Sequence, residues 1–231
     1  MLRPQPAEFE NLATEGNLIP VVREILADLE TPLSLYQRLD DGQTTFLLES
    51  VEGGEKWARY SFIGTGSRAI FRARGSEVEW TENGETQRFQ AAGDPLEVLR
   101  DRLAEFDPVT PPGIDLPRFA GGAVGMVGWD WVRFVEEIPD SNPDTLGLPD
   151  LWFSFPETVV VYDNVKHSAL IVHPVDLRGD ANPAECYAEA ERAIDAVVER
   201  IRGPREPETR YAPVRAPMDL ERSMTPEEYQ E

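Results

Sequence analysis

The most informative stretch of this sequence covers residues 46–64 and reads FLLESVEGGEKWARYSFIG. An apolar run ends in a carboxylate and a hydroxyl, Glu49 and Ser50, and a double glycine separates it from a cationic and aromatic return. In an extended strand Glu49 and Ser50 point to opposite faces, so both can contact one small ligand only if the chain turns at residues 51–54. The double glycine permits such a turn, because glycine adopts positive φ and allows close backbone approach.

The return of this stretch carries two cations, Lys56 and Arg59. After a turn they come back to the corner that holds Glu49 and Ser50, which places a carboxylate, a hydroxyl and two cations within reach of one another. A free amino acid, with its ammonium and its carboxylate, needs this set of partners. The alternative is a hairpin whose charged side chains are simply solvated.

The motif at residues 46–64 resembles the start of the large component of anthranilate synthase, the chorismate-using enzyme of tryptophan biosynthesis. In that family the Leu-Leu-Glu-Ser element forms part of the site where L-tryptophan binds as feedback inhibitor. The resemblance therefore implies that Ser50, Glu49 and Lys56 bind L-tryptophan. Spacing in the sequence does not establish these roles, which are carried over from the family.

Two further segments resemble the same family. Residues 118–136 contain four glycines and end in acidic, aromatic and Arg residues, like a Gly-Gly-x-x-Gly segment of the family's amino-terminal region. These glycines match neither a phosphate-binding loop nor a dinucleotide fingerprint, and we expect them to let another element pack closely on a buried strand. Residues 223–229 resemble the segment just before the family's chorismate-binding domain.

Composition excludes several classes of partner. The 231 residues carry 43 Asp and Glu against 22 Lys and Arg, a formal net charge of -21, which disfavours nucleic acid and anionic membranes. The sequence shows no apolar signal core and no apolar run of bilayer length. One cysteine, Cys186, fits a reducing compartment, so we expect a cytoplasmic protein. His167, His173 and Cys186 lack zinc-type spacing, and no metal ligands are predicted.

Local patterns predict an α+β fold with largely antiparallel sheets and a few packed helices. We expect a helix in residues 20–29, a hairpin from strands at 33–39 and 44–48, and a meander of strands at 69–74, 77–80 and 86–90 that turns at Asn83-Gly84. Further strands are expected at 151–155, 157–162 and 168–173. Cap, proline and glutamate combinations predict helices at 95–106 and from Pro183 onward. The second helix has a seam of Tyr187, Ala190, Ile194, Val197 and Ile201.

The predicted organisation has three parts. Residues 1–204 form the amino-terminal region that the resemblance identifies as regulatory, residues 205–222 a proline-rich linker, and residues 223–231 the start of a truncated chorismate-binding domain. Thr225 begins a third combination of cap residue, proline and glutamate, which predicts a helix start only six residues before the last residue, Glu231. A helix that short is not stable alone, so we expect the sequence to begin an element that it does not finish. The alternative is a frayed natural terminus.

The resemblance implies the activity of a complete enzyme. That enzyme converts chorismate and glutamine-derived ammonia to anthranilate and pyruvate, with Mg²⁺ and a glutamine amidotransferase subunit. This chain alone is expected to be inactive, because no catalytic residue is identified in it. Two alternatives stay open: the large component of aminodeoxychorismate synthase, from folate synthesis, and a non-catalytic amino-acid-binding module.

Overall fold

The computed structural model describes residues 1–50, 59–139, 141, 143–204 and 225. In these residues ten strands form two five-stranded antiparallel sheets, accompanied by four α-helices. The helices are α1 (Pro6–Leu12), α2 (Pro32–Leu39), α3 (Pro95–Ala104) and α4 (Pro183–Arg202), and a 3-10 helix covers Trp129–Phe134. The strands are β1 (Leu18–Leu26), β2 (Phe46–Leu48), β3 (Tyr60–Thr65), β4 (Ala69–Arg74), β5 (Glu77–Glu82), β6 (Glu85–Gln90), β7 (Val124–Val127), β8 (Leu151–Phe155), β9 (Thr158–Asp163) and β10 (Ser168–Asp176). The predicted α+β class is confirmed.

The first sheet brings together strands that are far apart in sequence. Its order is β1, β10, β9, β3, β2, and every neighbouring pair is antiparallel. Helix α4 packs against one face with α1 and α2, and its predicted seam is buried as expected. The opposite face is covered by the loop before β7, through Ile114, Leu116 and Phe119. Both faces of this sheet are therefore shielded from water.

The second sheet has the order β6, β5, β4, β8, β7. Phe71, Trp80 and Leu151 form its core together with Leu99 of helix α3. Asp94 caps α3 by accepting a hydrogen bond from the backbone N–H of Leu96 at 2.8 Å. The predicted meander is confirmed, since β5 and β6 join at a turn whose Asn83 and Gly84 both have positive φ. No helix within the part of the chain that the structure describes is long and apolar enough to span a bilayer.

The helix predicted for residues 20–29 is wrong, because this segment is strand β1. Ile19 and Val21 are buried against the helix layer, while Val22 is buried on the opposite face. Since both faces are covered, the apolar run is continuous and imitates a helical pattern. Pro20 is tolerated because β1 lies at the edge of its sheet.

The strand predicted for residues 33–39 is also wrong, because the segment forms helix α2. Thr31 caps this helix in a reciprocal box with Ser34, and Pro32 occupies its first turn. Leu35 and Leu39, one helical turn apart, are fully buried. The Thr-Pro start signal was present in the sequence and outweighs the apparent alternation.

Candidate functional site

The predicted ligand corner begins at the edge of the first sheet. Strand β2 pairs with β3, with Leu48 opposite Phe62. Glu49 and Ser50 follow the last residue of β2 directly, and both side chains are exposed. Their position at the end of an edge strand leaves them accessible to a small ligand. Lys56, the third predicted residue, lies outside the described residues, so its distance from the other two stays a prediction.

Arg59 is engaged by a neighbouring strand. Its Nη2 donates to Oδ2 of Asp163 at 2.7 Å, and its Nε donates to both Asp163 oxygens at 3.1 and 3.2 Å. The guanidinium also stands 4.8 Å from the centre of the Tyr60 ring. The hydrogen bond to Asp163 raises the pKa of Arg59. This cation is thus paired with Asp163, whereas the sequence suggested that it serves the corner with Glu49.

The carboxylate of Asp163 accepts hydrogen bonds from several groups besides Arg59. It is almost fully buried, and it also accepts hydrogen bonds from the backbone N–H groups of Val165 and Lys166. Burial alone would raise the pKa of Asp163, but the bonds from Arg59 and from these two amides lower it below its ordinary value. An ionised Asp163 therefore holds the start of β3 against the end of β9.

A hollow of about 340 Å³ opens beside this ion pair. Its lining includes Tyr60 and Asp163 from adjacent strands, with Glu24 and Lys166 nearby. Sequence analysis missed Asp163. The Asp163-Asn164 pair at a strand end signals a turn, but no local pattern shows that its carboxylate meets Arg59, more than a hundred residues earlier.

The glycine-rich segment holds β7 close to β8. A Cβ on Gly125 would collide with the carbonyl oxygen of Trp152 and would lie 2.6 Å from Cα of Phe153. A Cβ on Gly128 would lie 3.0 Å from the carbonyl oxygen of Asp150. These contacts agree with the expected close packing, but the expected burial is wrong, because three of the four β7 residues are exposed. The strand lies at the edge of its sheet, where one side is uncovered.

The two histidines occupy different environments. His173, on β10, is in hydrogen-bond contact with Oγ1 of Thr158 at 2.9 Å. Burial, with a smaller effect from Arg68, lowers the pKa of His173 to about 4. His167 lies in the turn before β10 at φ 52°, in contact with the hydroxyl of Tyr162. No three His, Cys, Asp or Glu side chains in the described ranges are arranged to hold a metal ion.

Comparisons with known proteins identify several relatives that are anthranilate synthase component 1. No protein-family model matches the sequence. Anthranilate synthase component 1 of Pseudomonas aeruginosa is 42% identical over 201 residues, which are 85% of this chain and 39% of the relative. The same component of Acetivibrio thermocellus is 38% identical over 202 residues, 87% of this chain and 38% of the relative. The chain thus spans about two fifths of the length of the curated relatives it matches.

Solved structures are also similar to this chain. One of them is anthranilate synthase component I from Streptococcus pneumoniae TIGR4, with 24% sequence identity and a TM-score of 0.45. The match covers 78% of this chain and 37% of that chain.

Proposed function

This chain is a homologue of anthranilate synthase component 1 over most of its own length, and from that premise we propose that it forms the regulatory part of such an enzyme. L-tryptophan is the proposed feedback inhibitor. The observation that supports this role is the exposure of Glu49 and Ser50 directly after edge strand β2. Lys56, outside the described residues, completes the proposed binding set.

The proposed contacts follow from the chemistry of a free amino acid. The carboxylate of Glu49 accepts charge-assisted hydrogen bonds from the ligand's ammonium group. The hydroxyl of Ser50 bonds to the same polar end. The indole packs on apolar strand side chains, among which Leu48 is 43% exposed and available. One end of the ligand is thus fixed by charge and the other by apolar contact.

Inhibition requires more than binding. L-tryptophan must bind one global state of the whole enzyme better than another, and the favoured state must hold chorismate poorly. Allosteric coupling of this kind typically amounts to about 1 to 3 kcal/mol. A ligand with equal affinity for both states would occupy the site without inhibiting.

The activity we propose belongs to the whole enzyme. Chorismate and glutamine-derived ammonia give anthranilate and pyruvate in the cytoplasm, with a glutamine amidotransferase subunit as partner. Residues 1–204 serve as the regulatory region, 205–222 as linker and 223–231 as the start of the chorismate-binding domain. No three His, Cys, Asp or Glu side chains among the described residues could hold a metal ion together, and we propose that the Mg²⁺ of the complete enzyme has its ligands outside this chain. The 231 residues alone are proposed to be inactive.

The test is a product assay on the complete gene product with chorismate and glutamine. We expect anthranilate, and we expect L-tryptophan to suppress its formation. Formation of aminodeoxychorismate instead would identify the folate enzyme. Absence of both products, with L-tryptophan still bound, would identify a non-catalytic amino-acid-binding module. The relatives described above favour the first outcome, since both are anthranilate synthase components.

A further inference from the structure

A second cavity, of about 350 Å³, lies away from the corner formed by Glu49 and Ser50. It opens where the last turn of α3 and the loop before β7 meet the two sheets. Its apolar walls come from four elements and the loop, and include Leu18, Pro20, Leu103, Phe106, Phe155 and Pro174. No residue from 46 to 50 contributes to it. Its size falls within the range of small-molecule sites.

The charge of this cavity is opposite to that of the whole chain. The 231 residues carry 43 acidic against 22 basic side chains, yet among the described residues the only ionisable ones that line the cavity are Arg68 and Arg118. Neither arginine forms an ion pair with any residue in the described ranges. A cavity with this lining favours an anion and offers no carboxylate to an ammonium group.

Arg68 is held in place at the cavity wall. Its backbone N–H donates to the carbonyl oxygen of Phe155 at 2.9 Å, and its Nη2 donates to the carbonyl oxygen of Pro174 at 2.7 Å. Burial lowers the pKa of this guanidinium, while the nearby carboxylates of Asp176 and Glu157 act in the opposite direction. The net lowering reflects the cost of keeping the charge away from water, and a bound anion would offset part of that cost.

Two consecutive glycines, Gly121 and Gly122, line the same cavity. Gly121 and Gly122 have φ of 153° and 111°, both in the region that favours glycine. Neither backbone N–H donates to a backbone acceptor elsewhere in the described chain. A Cβ on Gly121 would stand 3.0 Å from Cγ of Pro174, so the glycine keeps this rim open. Backbone N–H groups are strong hydrogen-bond donors to the oxygens of an anion.

From these observations we propose that the cavity binds a small carboxylate with an aromatic or similarly flat apolar body and without an ammonium group. Arg118 and the N–H groups of Gly121 and Gly122 contact the carboxylate, Arg68 contributes positive charge at the wall, and Leu103 and Phe106 contact the apolar body. The chemistry differs from that of the proposed tryptophan site, which contains a carboxylate for the ammonium. This proposal does not depend on the proposed function.

The test is titration calorimetry on the 231-residue chain with three indole probes. Indole-3-propionate carries a carboxylate only, tryptamine an ammonium only, and L-tryptophan both. We expect indole-3-propionate to bind and Arg118→Gln to weaken it about tenfold, as loss of a hydrogen bond between charged groups does. Arg118 is exposed and makes no hydrogen bond to the described residues, so the variant should fold. Tryptamine and L-tryptophan should show no binding that depends on Arg118.

Arg202→Gln is the matched control, because it changes the net charge equally at an exposed position on the last turn of α4. Equal weakening by both variants, or no binding of indole-3-propionate at millimolar concentration, would overturn the proposal. Tryptamine binding that Arg118→Gln weakens would do the same. In wild-type protein, indole-3-propionate should also shift the amide NMR signals of Gly121 and Gly122, and unchanged signals would contradict the assignment. Glu49→Gln should leave this binding intact, which separates this result from failure of the tryptophan site.

Discussion

Arg59 and Asp163 join the ends of two adjacent strands through a forked ion pair, with the shortest contact at 2.7 Å. Arg59 immediately precedes β3, and Asp163 is the last residue of β9. The backbone oxygen of Arg59 also accepts a hydrogen bond from the N–H of Asn164 at 2.8 Å. Strand β3 is thus anchored on the side opposite β2, the strand that leads to Glu49 and Ser50.

We predict that Asp163→Asn destabilises the chain by about 1 to 3 kcal/mol, because a buried, charged acceptor shared by Arg59 and two backbone amides is lost. Urea unfolding at pH 7 measures this loss. Asp180→Asn is a suitable control, because Asp180 is exposed and makes no hydrogen bond to any other described residue. A loss for Asp163→Asn no larger than for the control would show that the ion pair contributes nothing.

The contribution of Asp163 should depend on pH in a defined direction. Its pKa is lower in the folded chain than the ordinary 3.8, so its stabilising effect is fully present above that value and is lost as pH falls through the folded pKa. The stability difference between wild type and Asp163→Asn should therefore be constant from pH 7 to about 5 and should shrink below pH 4. A difference that grows on acidification would contradict this sign.

We expect His173 to make the stability of the folded chain depend on pH as well, at higher pH than Asp163 does. Its pKa falls from 6.5 to about 4 on folding, so the unfolded chain binds the extra proton between these values. The contribution of His173 to the free energy of unfolding is fully present above pH 6.5. It falls by about 1.4 kcal/mol for each pH unit as the pH decreases from 6.5 to 4. His173→Gln should remove this part of the slope in urea unfolding, whereas His167→Gln should keep it. Equal slopes for wild type and His173→Gln would refute the prediction.

Gly125 should be intolerant of a side chain. Its Cβ would collide with the backbone of β8, so we expect Gly125→Ala to cost about 1 to 3 kcal/mol in thermal or urea unfolding, as overpacking does. Gly93→Ala is the matched control, since nothing lies within 4 Å of a Cβ there and its φ is not in the positive range. Comparable losses of stability at both positions would show that the close approach of β7 to β8 does not make Gly125 less tolerant of a side chain than Gly93.

Local patterns predicted those elements whose signals lie within a few residues. The meander around Asn83-Gly84, helix α3 with its Asp94 cap and the buried seam of α4 all follow from turn, cap and periodicity rules. Strand β1 was not predictable in this way. Its apolar run pairs with β10, about 150 residues later, and only that pairing makes both faces apolar.

The candidate site also contains residues that the sequence suggested and contacts that it did not. Glu49 and Ser50 were suggested by their residue types and by a family resemblance, and the structure leaves both accessible after β2. The pairing of Arg59 with Asp163 and the basic cavity around Arg118 depend on contacts between distant segments. Nothing local in the sequence encodes such contacts, so sequence analysis missed them.

Calorimetric titration of the complete gene product with L-tryptophan, comparing wild type with Ser50→Phe and Glu49→Gln, tests whether this corner binds the inhibitor. Glu10→Gln, at an exposed position on α1, controls for the lost charge. We expect binding to wild type and Glu10→Gln, about tenfold weaker binding to Glu49→Gln, and none to Ser50→Phe. Unchanged affinity in both Glu49→Gln and Ser50→Phe would contradict the assignment of this corner to the inhibitor.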